Sequence, residues 1–250
     1  MTRFVLTDAQ WATIEPYCLG KRTDPGQTGG DPRVFMEAVL WIVRTGAQWR
    51  DLPDEFGNWN SVFKRFRRWV MADAFYRMFK ALAAAPDFEY AMIDGSIVKV
   101  HRAGQGAKGG PHSQAIGRSR GGVTTKILAL TDALGNLADF RLLPGQAHDL
   151  RGVPDLLDGF YANHILADRA FDADWLRDAL SKREIAPVIP PRKNRNQPAV
   201  YDEEMYKWRH LVENFFQKIK DNRGIATRYC KTDASFSAFI SVAATVLWLK

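Results

Sequence analysis

Residues 88–100 read FEYAMIDGSIVKV. β-Branched and aromatic side chains dominate the stretch, so it reads as a β-strand. Asp94 stands in the middle of its apolar run. A carboxylate there is costly unless it is paired or bound to a metal. The alternative reading of Asp94 is a turn or edge residue. The residues after this strand extend a sheet. VTTKILALTD, the turn ALGN and LADFRLLPG read as a hairpin. DLRGVPDLLDGF is expected to be a helix, NHILAD a strand, DADWLRDALSKRE a helix and IAPVIP a strand. A three-stranded meander followed by alternating helices and strands predicts an α/β fold, a mixed sheet with helices on both faces.

Before residue 88 the pattern is helical. Thr7 with Gln10 forms a capping-box pattern ahead of Trp11 and Ile14. Asp31-Pro32 reads as N-cap and first helical residue, and Gly46 as the stop. KRTDPGQTGG reads as a loop. A new cap is expected at Asn60 or Ser61 before VFKRFRRWV, and Asp73 is expected to cap a further helix down to Ala85. The predicted division is a helical domain over 1–86 and a sheet-containing domain over 87–250. The last segment, SFSAFISVAATVLWL, reads as a mostly buried helix.

The chain has 250 residues and a formal net charge of +7, which favours a polyanionic partner. Its two cysteines, Cys18 and Cys230, have no metal-like spacing and fit a reducing cytoplasm. The N-terminus does not read as a secretory signal. No segment approaches the roughly 20 apolar residues of a membrane span.

Two further acids bear on Asp94. Asp168 ends the strand HILAD, with an N-cap of the following helix as its alternative role; Asp172 competes for either. Glu213 lies in YKWRHLVENFFQKIK, residues 206–220, part of one predicted helix over 202–222 stopped near Gly224. At about 100° per residue, Tyr206, Arg209, Glu213 and Lys220 share an arc of about 60°. Trp208, Leu211, Val212, Phe215, Phe216 and Ile219 cover the opposite, core-facing side. The bland reading of the stripe is a solvated face with an intrahelical Arg–Glu pair. Strand-end acids beside a helix-borne acid make a hard-oxygen site suited to Mg²⁺. Two such ions serve in-line phosphoryl displacement.

MIDGS, ILADRAFD and Tyr206-x-x-Arg209-x-x-x-Glu213-x-x-x-x-x-x-Lys220 resemble the three blocks of a DDE transposase of the bacterial insertion-sequence-five family. The N-terminal LTDAQWATIEPY and AVLWIVRTGAQWRDLPDEFGNWNSVFKRFRRW, together with IPPRKNR, resemble the family in the same way. Arg169 and Phe171 depart from residues common in the family. The resemblance implies a ribonuclease-H-like catalytic domain with a mixed five-stranded sheet. It implies that Asp94, Asp168 and Glu213 are catalytic and hold two Mg²⁺ ions, with Mn²⁺ as a substitute. Asp94 would bridge the two ions. Metal-activated water would cleave the DNA phosphodiester at an inverted repeat. The freed 3′-hydroxyl would then join target DNA. Arg209 and Lys220 would contact flanking phosphates, and Tyr206 would position the DNA.

SVFKRFRRW places Lys64, Arg65, Arg67 and Arg68 on a short helix. With LPDEFGNWN before it, the pattern looks like a helix-turn-helix reading a major groove. The alternative is a basic amphipathic helix packed within its domain. Arg102, Lys108, Arg118 and Arg120 of a Gly-rich, mobile-looking stretch, and Arg192, Lys193 and Arg195, are expected to track the DNA backbone. The partners expected are double-stranded DNA, namely the terminal repeats and the target, and further copies of the chain in a homodimer or higher oligomer. No membrane is involved, and the expected location is cytoplasmic, at the nucleoid. The rival functions are a nuclease of the same fold that does not join strands and a non-catalytic DNA-binding regulator.

Overall fold

Helices start where side chains cap them. The computed structural model describes residues 5–21, 24, 30–83, 86–195 and 199–250. In α1 (Asp8–Ile14) the Thr7 hydroxyl accepts from Gln10 N, and the Gln10 side chain accepts from the backbone N–H of Thr7. Asp31 caps α2 (Pro32–Thr45), and Gly46 ends it with φ 66°. The next cap is Asn58, earlier than expected, and its side chain accepts from Asn60 N and Ser61 N at the start of α3 (Trp59–Met71). Thus both residues expected to cap instead donate to the cap. Helix α4 covers Ala74–Leu82. The expected end at Ala85 and most of the KRTDPGQTGG loop lie outside the described residues.

The chain divides into two compact units. One contains 1–82, 101–107 and 219–250; the other contains 83–100 and 108–218. The last segment lies in the same compact unit as the N-terminal helices. It comprises α9 (Arg223–Ala226), β7 (Thr227–Arg228) and α10 (Asp233–Trp248), numbered in chain order. Helix α10 packs on α2, α3 and α4. Phe239 meets Phe66 with ring centroids 5.6 Å apart, and Phe35 meets Trp69 edge-on at 4.8 Å. Gly224 permits α9 to approach α2, since a Cβ there would lie 2.8 Å from the Val43 carbonyl oxygen. Within this unit Glu37 is fully buried and accepts from Val5 N and Leu6 N at 2.9 and 2.8 Å, holding the N-terminal segment.

Helix α3 presents two chemistries. Val62, Phe66 and Trp69 are buried; Lys64, Arg67 and Arg68 are exposed. Arg65 departs from the expectation that it reads DNA. Its guanidinium lies over Phe35 and Trp69 and donates to the carbonyls of Gly30 (2.7 Å) and Leu19 (3.2 Å). Those bonds and rings use the side chain inside the unit, so Arg65 is a packing residue.

The sheet unit is built on β1 (Tyr90–Val100). Strand β3 (Gly122–Thr131) runs antiparallel on one side of it, and β5 (His164–Ala167) parallel on the other. Strand β6 (Ala186–Val188) lies parallel beyond β5. The short β2 (Gly117–Ser119) and β4 (Leu137–Pro144) both pair antiparallel with β3. Within this unit the order β4-β3-β1-β5-β6 is the mixed five-stranded sheet expected, with β2 added. Ile93, Leu128 and Ala167 belong to a buried cluster with Val153 and Leu156 of α5 (Val153–Leu156) and Leu176 and Leu180 of α6 (Asp174–Ser181). Side chains alternate along a strand, so Met92 and Asp94 face away from that cluster.

Arg65→Ala is expected to destabilise the protein by about 2 kcal/mol, the scale of hydrogen bonds to a charged group. Arg67→Ala, on the exposed face, is expected to stay within about 0.5 kcal/mol of the parent. Urea denaturation measures both, and equal losses would contradict the division of the helix.

Candidate active site

The parallel register brings two acids together. Ile93 pairs with Ala167, and the next residue on each chain segment is Asp94 and Asp168, respectively. The alternation of side chains along each strand puts both carboxylates on the Met92 face. They are close enough for Asp168 to push the Asp94 pKa upward.

Asp94 is set firmly. Its side chain is 18% exposed. Oδ1 accepts from Gly95 N at 2.7 Å, and Oδ2 accepts from Arg209 Nη1 at 2.9 Å. Burial raises its pKa, the Gly95 N–H and Arg209 lower it, and Asp168 raises it; the net shift is upward. Burial and a second carboxylate thus prevail over one guanidinium. Gly95 is needed behind it, because a Cβ there would sit 3.0 Å from Asp149 Oδ1. Asp149 pairs with Lys126, which also donates to the Ala147 carbonyl at 2.7 Å. No local pattern in the sequence signals this pair. His148, next to Asp149, caps the turn at 149–152.

Asp168 caps, but what it caps is a 3₁₀ turn rather than the expected helix. It follows β5, and its Oδ1 accepts from Ala170 N at 2.7 Å, capping the turn Arg169–Phe171. Asp172 proves structural. It is buried, and it accepts from Arg192 N and Arg177 Nε at 2.8 Å and from Arg195 Nη1 at 2.9 Å. Burial alone would raise its pKa, but the Arg192 N–H and the two guanidiniums bring it below the usual carboxylate range. Arg195 also pairs with Asp174, and Arg192 donates to the Ala170 carbonyl at 3.0 Å. Both arginines expected on DNA therefore brace the loop that carries Asp168. Lys193 between them is exposed.

The third acid is carried by a helix that is not continuous. The predicted span 202–222 resolves into α7 (Glu203–Tyr206), a 3₁₀ turn (Lys207–Arg209) and α8 (His210–Lys220). Val212, Phe215, Phe216 and Ile219 are buried, as the periodicity requires. Trp208, expected on that face, is 51% exposed because the tighter turn rotates it outward. Glu213 is half-exposed and pairs with Arg209 Nη2. Arg209 thus bridges Asp94 and Glu213. Burial lowers its pKa, but Asp94, Tyr206 and Glu213 raise it further, so it stays charged. Tyr206 hydrogen-bonds Arg209 and feels the charge of Asp168; burial raises its hydroxyl pKa. Tyr201 meets its ring edge-on at 5.7 Å. Lys220 ends α8, half-buried, with its pKa lowered by burial.

Among the described residues no three of His, Cys, Asp or Glu stand close enough to share one metal ion. Asp94 and Asp168 are neighbours, and Arg209 links Asp94 to Glu213. The donors are all carboxylate oxygens, and two of the acids already rest on a guanidinium. This chemistry fits a hard divalent cation. Arg102, Lys108, Arg118 and Arg120 are exposed. No helix among the described residues is long and apolar enough to cross a membrane.

The geometry coincides with a known grouping. Residues 6–79 match the family described as "Putative transposase of IS4/5 family", and 89–249 match the family described as "Transposase DDE domain". A Brucella ovis protein described as "Putative transposase for insertion sequence element IS6501" is 35% identical over 130 residues, 51% of this chain and all of that protein. The uncharacterized protein y4sN of Sinorhizobium fredii is 36% identical over 103 residues, 41% of this chain and 82% of that protein. The fold is similar to the transposase in the structure of a piggyBac synaptic complex with hairpin DNA. The TM-score is 0.51 at 12% identity, over 94% of this chain and 68% of that one. The DDE match takes in Asp94, Asp168 and Glu213 and covers well over half of the sequence, so the chain belongs to the transposase DDE domain family.

Proposed function

We propose that this transposase binds the terminal inverted repeats of an insertion sequence, cleaves the phosphodiester at the element end and joins the 3′-hydroxyl to target DNA. The observation that carries the reading is the placement of Asp94 beside Asp168 at adjacent parallel strands, with Glu213 joined to Asp94 through Arg209. A DDE domain depends on divalent metal, and we assign two Mg²⁺ ions, with Mn²⁺ as a substitute. When bound, they supply Lewis acidity that activates the attacking oxygen and offsets charge on the leaving oxygen.

The protein's own groups do the rest. Asp94 lies within β1 and Asp168 directly after β5, and backbone N–H groups fix an oxygen of each before substrate arrives. Pre-organisation of this kind lowers the reorganisation needed at the reacting phosphate. Glu213 is exposed on α8, where it remains accessible. Tyr206 and Arg209 lie beside the acids and orient the DNA backbone. Lys64, Arg67, Arg68 and Arg102 are exposed on one unit, and Lys108, Arg118, Arg120 and Lys193 on the other. These cations supply affinity for phosphates, and the outer face of α3 reads the repeat. Residues 1–86 bind the ends, while the sheet-bearing part performs the chemistry. Joining two ends to a target calls for a homodimer or higher oligomer on DNA. The work is cytoplasmic, at the nucleoid.

Asp94→Asn, Asp168→Asn and Glu213→Gln are each expected to abolish cleavage of a duplex carrying the element end, with DNA affinity largely kept. Gel analysis of cleaved and joined products with Mg²⁺ measures this, and near-normal cutting by any variant contradicts its assignment. Cleavage without joined products by the parent would indicate a nuclease. Replacing Lys64, Arg67 and Arg68 with alanine is expected to flatten the salt dependence of DNA binding. The slope of log K against log salt should fall by about 0.9 for each phosphate contact removed. An unchanged slope places the contact surface elsewhere.

A further inference from the structure

We propose that Arg209 is a resident counter-cation that makes metal binding conditional on DNA. This rests on the assignment of Asp94 and Glu213 as metal-binding carboxylates. The guanidinium reaches two of the three acids at once, with Nη1 on Asp94 Oδ2 at 2.9 Å and Nη2 on Glu213. Asp94 has only one other oxygen, and the Gly95 N–H already donates to it. Arg209 must therefore release Oδ2 before that oxygen can serve a divalent cation without competition. Glu213 is held in the same way, so both acids are freed by one movement.

The three acids explain why a cation resides there. Asp94 is largely buried and lies beside Asp168. Without a positive partner the two carboxylates repel each other in a poorly solvated place. Arg209 supplies that charge. A DNA phosphate offers the same fork an alternative bidentate acceptor. Once the fork turns to a phosphate, Asp94 and Glu213 are left with a charge deficit that a divalent cation fills. Binding of DNA and of metal then strengthen each other, and linkage requires the coupling to be equal in both directions. The 3₁₀ turn Lys207–Arg209 places the arginine at a break between two helical segments, where its backbone is not locked into α8.

The test measures Mn²⁺ affinity by electron paramagnetic resonance on the full chain, at mildly alkaline pH so that the carboxylates are ionised. Arg209→Gln is expected to bind Mn²⁺ about tenfold or more tightly than the parent without DNA, within the usual span of coupling. Arg209→Lys, which keeps the charge but not the fork, should fall between them. A short duplex at low salt should tighten Mn²⁺ binding by the parent and leave Arg209→Gln unchanged. If both variants bind Mn²⁺ no better than the parent, or the duplex has no effect on the parent, the counter-cation role is overturned. Asp94→Asn separates the two ideas: if it binds Mn²⁺ like the parent, the assignment of the metal site fails instead.

Discussion

Parallel pairing of β1 with β5 is the constraint from which the site follows. Antiparallel neighbours are joined by a tight turn, as β3 is to β4, but parallel strands need a long crossover. The chain makes that crossover through β3, β4 and α5, which leaves Asp94 and Asp168 at equivalent points of adjacent strands although 74 positions apart in sequence numbering. Two carboxylates held side by side are unfavourable in isolation. Each therefore has a backbone N–H donor, Gly95 for Asp94 and Ala170 for Asp168, and Asp94 also has Arg209. The repulsion is an energetic cost that a multivalent cation at the proposed site would offset.

Support for this pair reaches well behind it. Asp149 lies against Gly95, so the glycine of the DG pair is required by what packs on the far side of the strand. Asp172, bound by Arg177, Arg192 and Arg195, fixes the loop after Asp168 from the other direction. One packs behind the middle of β1 and the other anchors the loop after β5, where Arg192 and Arg195, which looked available for DNA, are engaged.

Local features were legible in the sequence because their causes are local. The Thr7–Gln10 capping box, the Asp31-Pro32 start and the Gly46 stop depend on residues within a turn of one another. The strand around Asp94, the hairpin and the later α/β alternation were equally clear from periodicity. Long-range partners were not. Nothing near Arg65 signals that the carbonyls of Leu19 and Gly30 will receive it. The helical wheel placed Arg209 with Glu213 correctly but could not show Asp94 reaching the same guanidinium. It also assumed an unbroken helix, so it misplaced Trp208. Composition alone could not assign the last helix, because a uniformly apolar segment fits any core, and α10 packs on the N-terminal helices.

We propose that Asp94, Asp168 and Glu213 converge on divalent metal once DNA is bound. A crystal structure of the protein on a DNA end with Mn²⁺, located by its anomalous scattering, would observe that convergence itself. Anomalous peaks in contact with all three carboxylates are expected, with the Arg209 fork turned to a phosphate. Peaks that leave Glu213 or Asp168 without a metal contact, in a complex assembled on DNA, would contradict it.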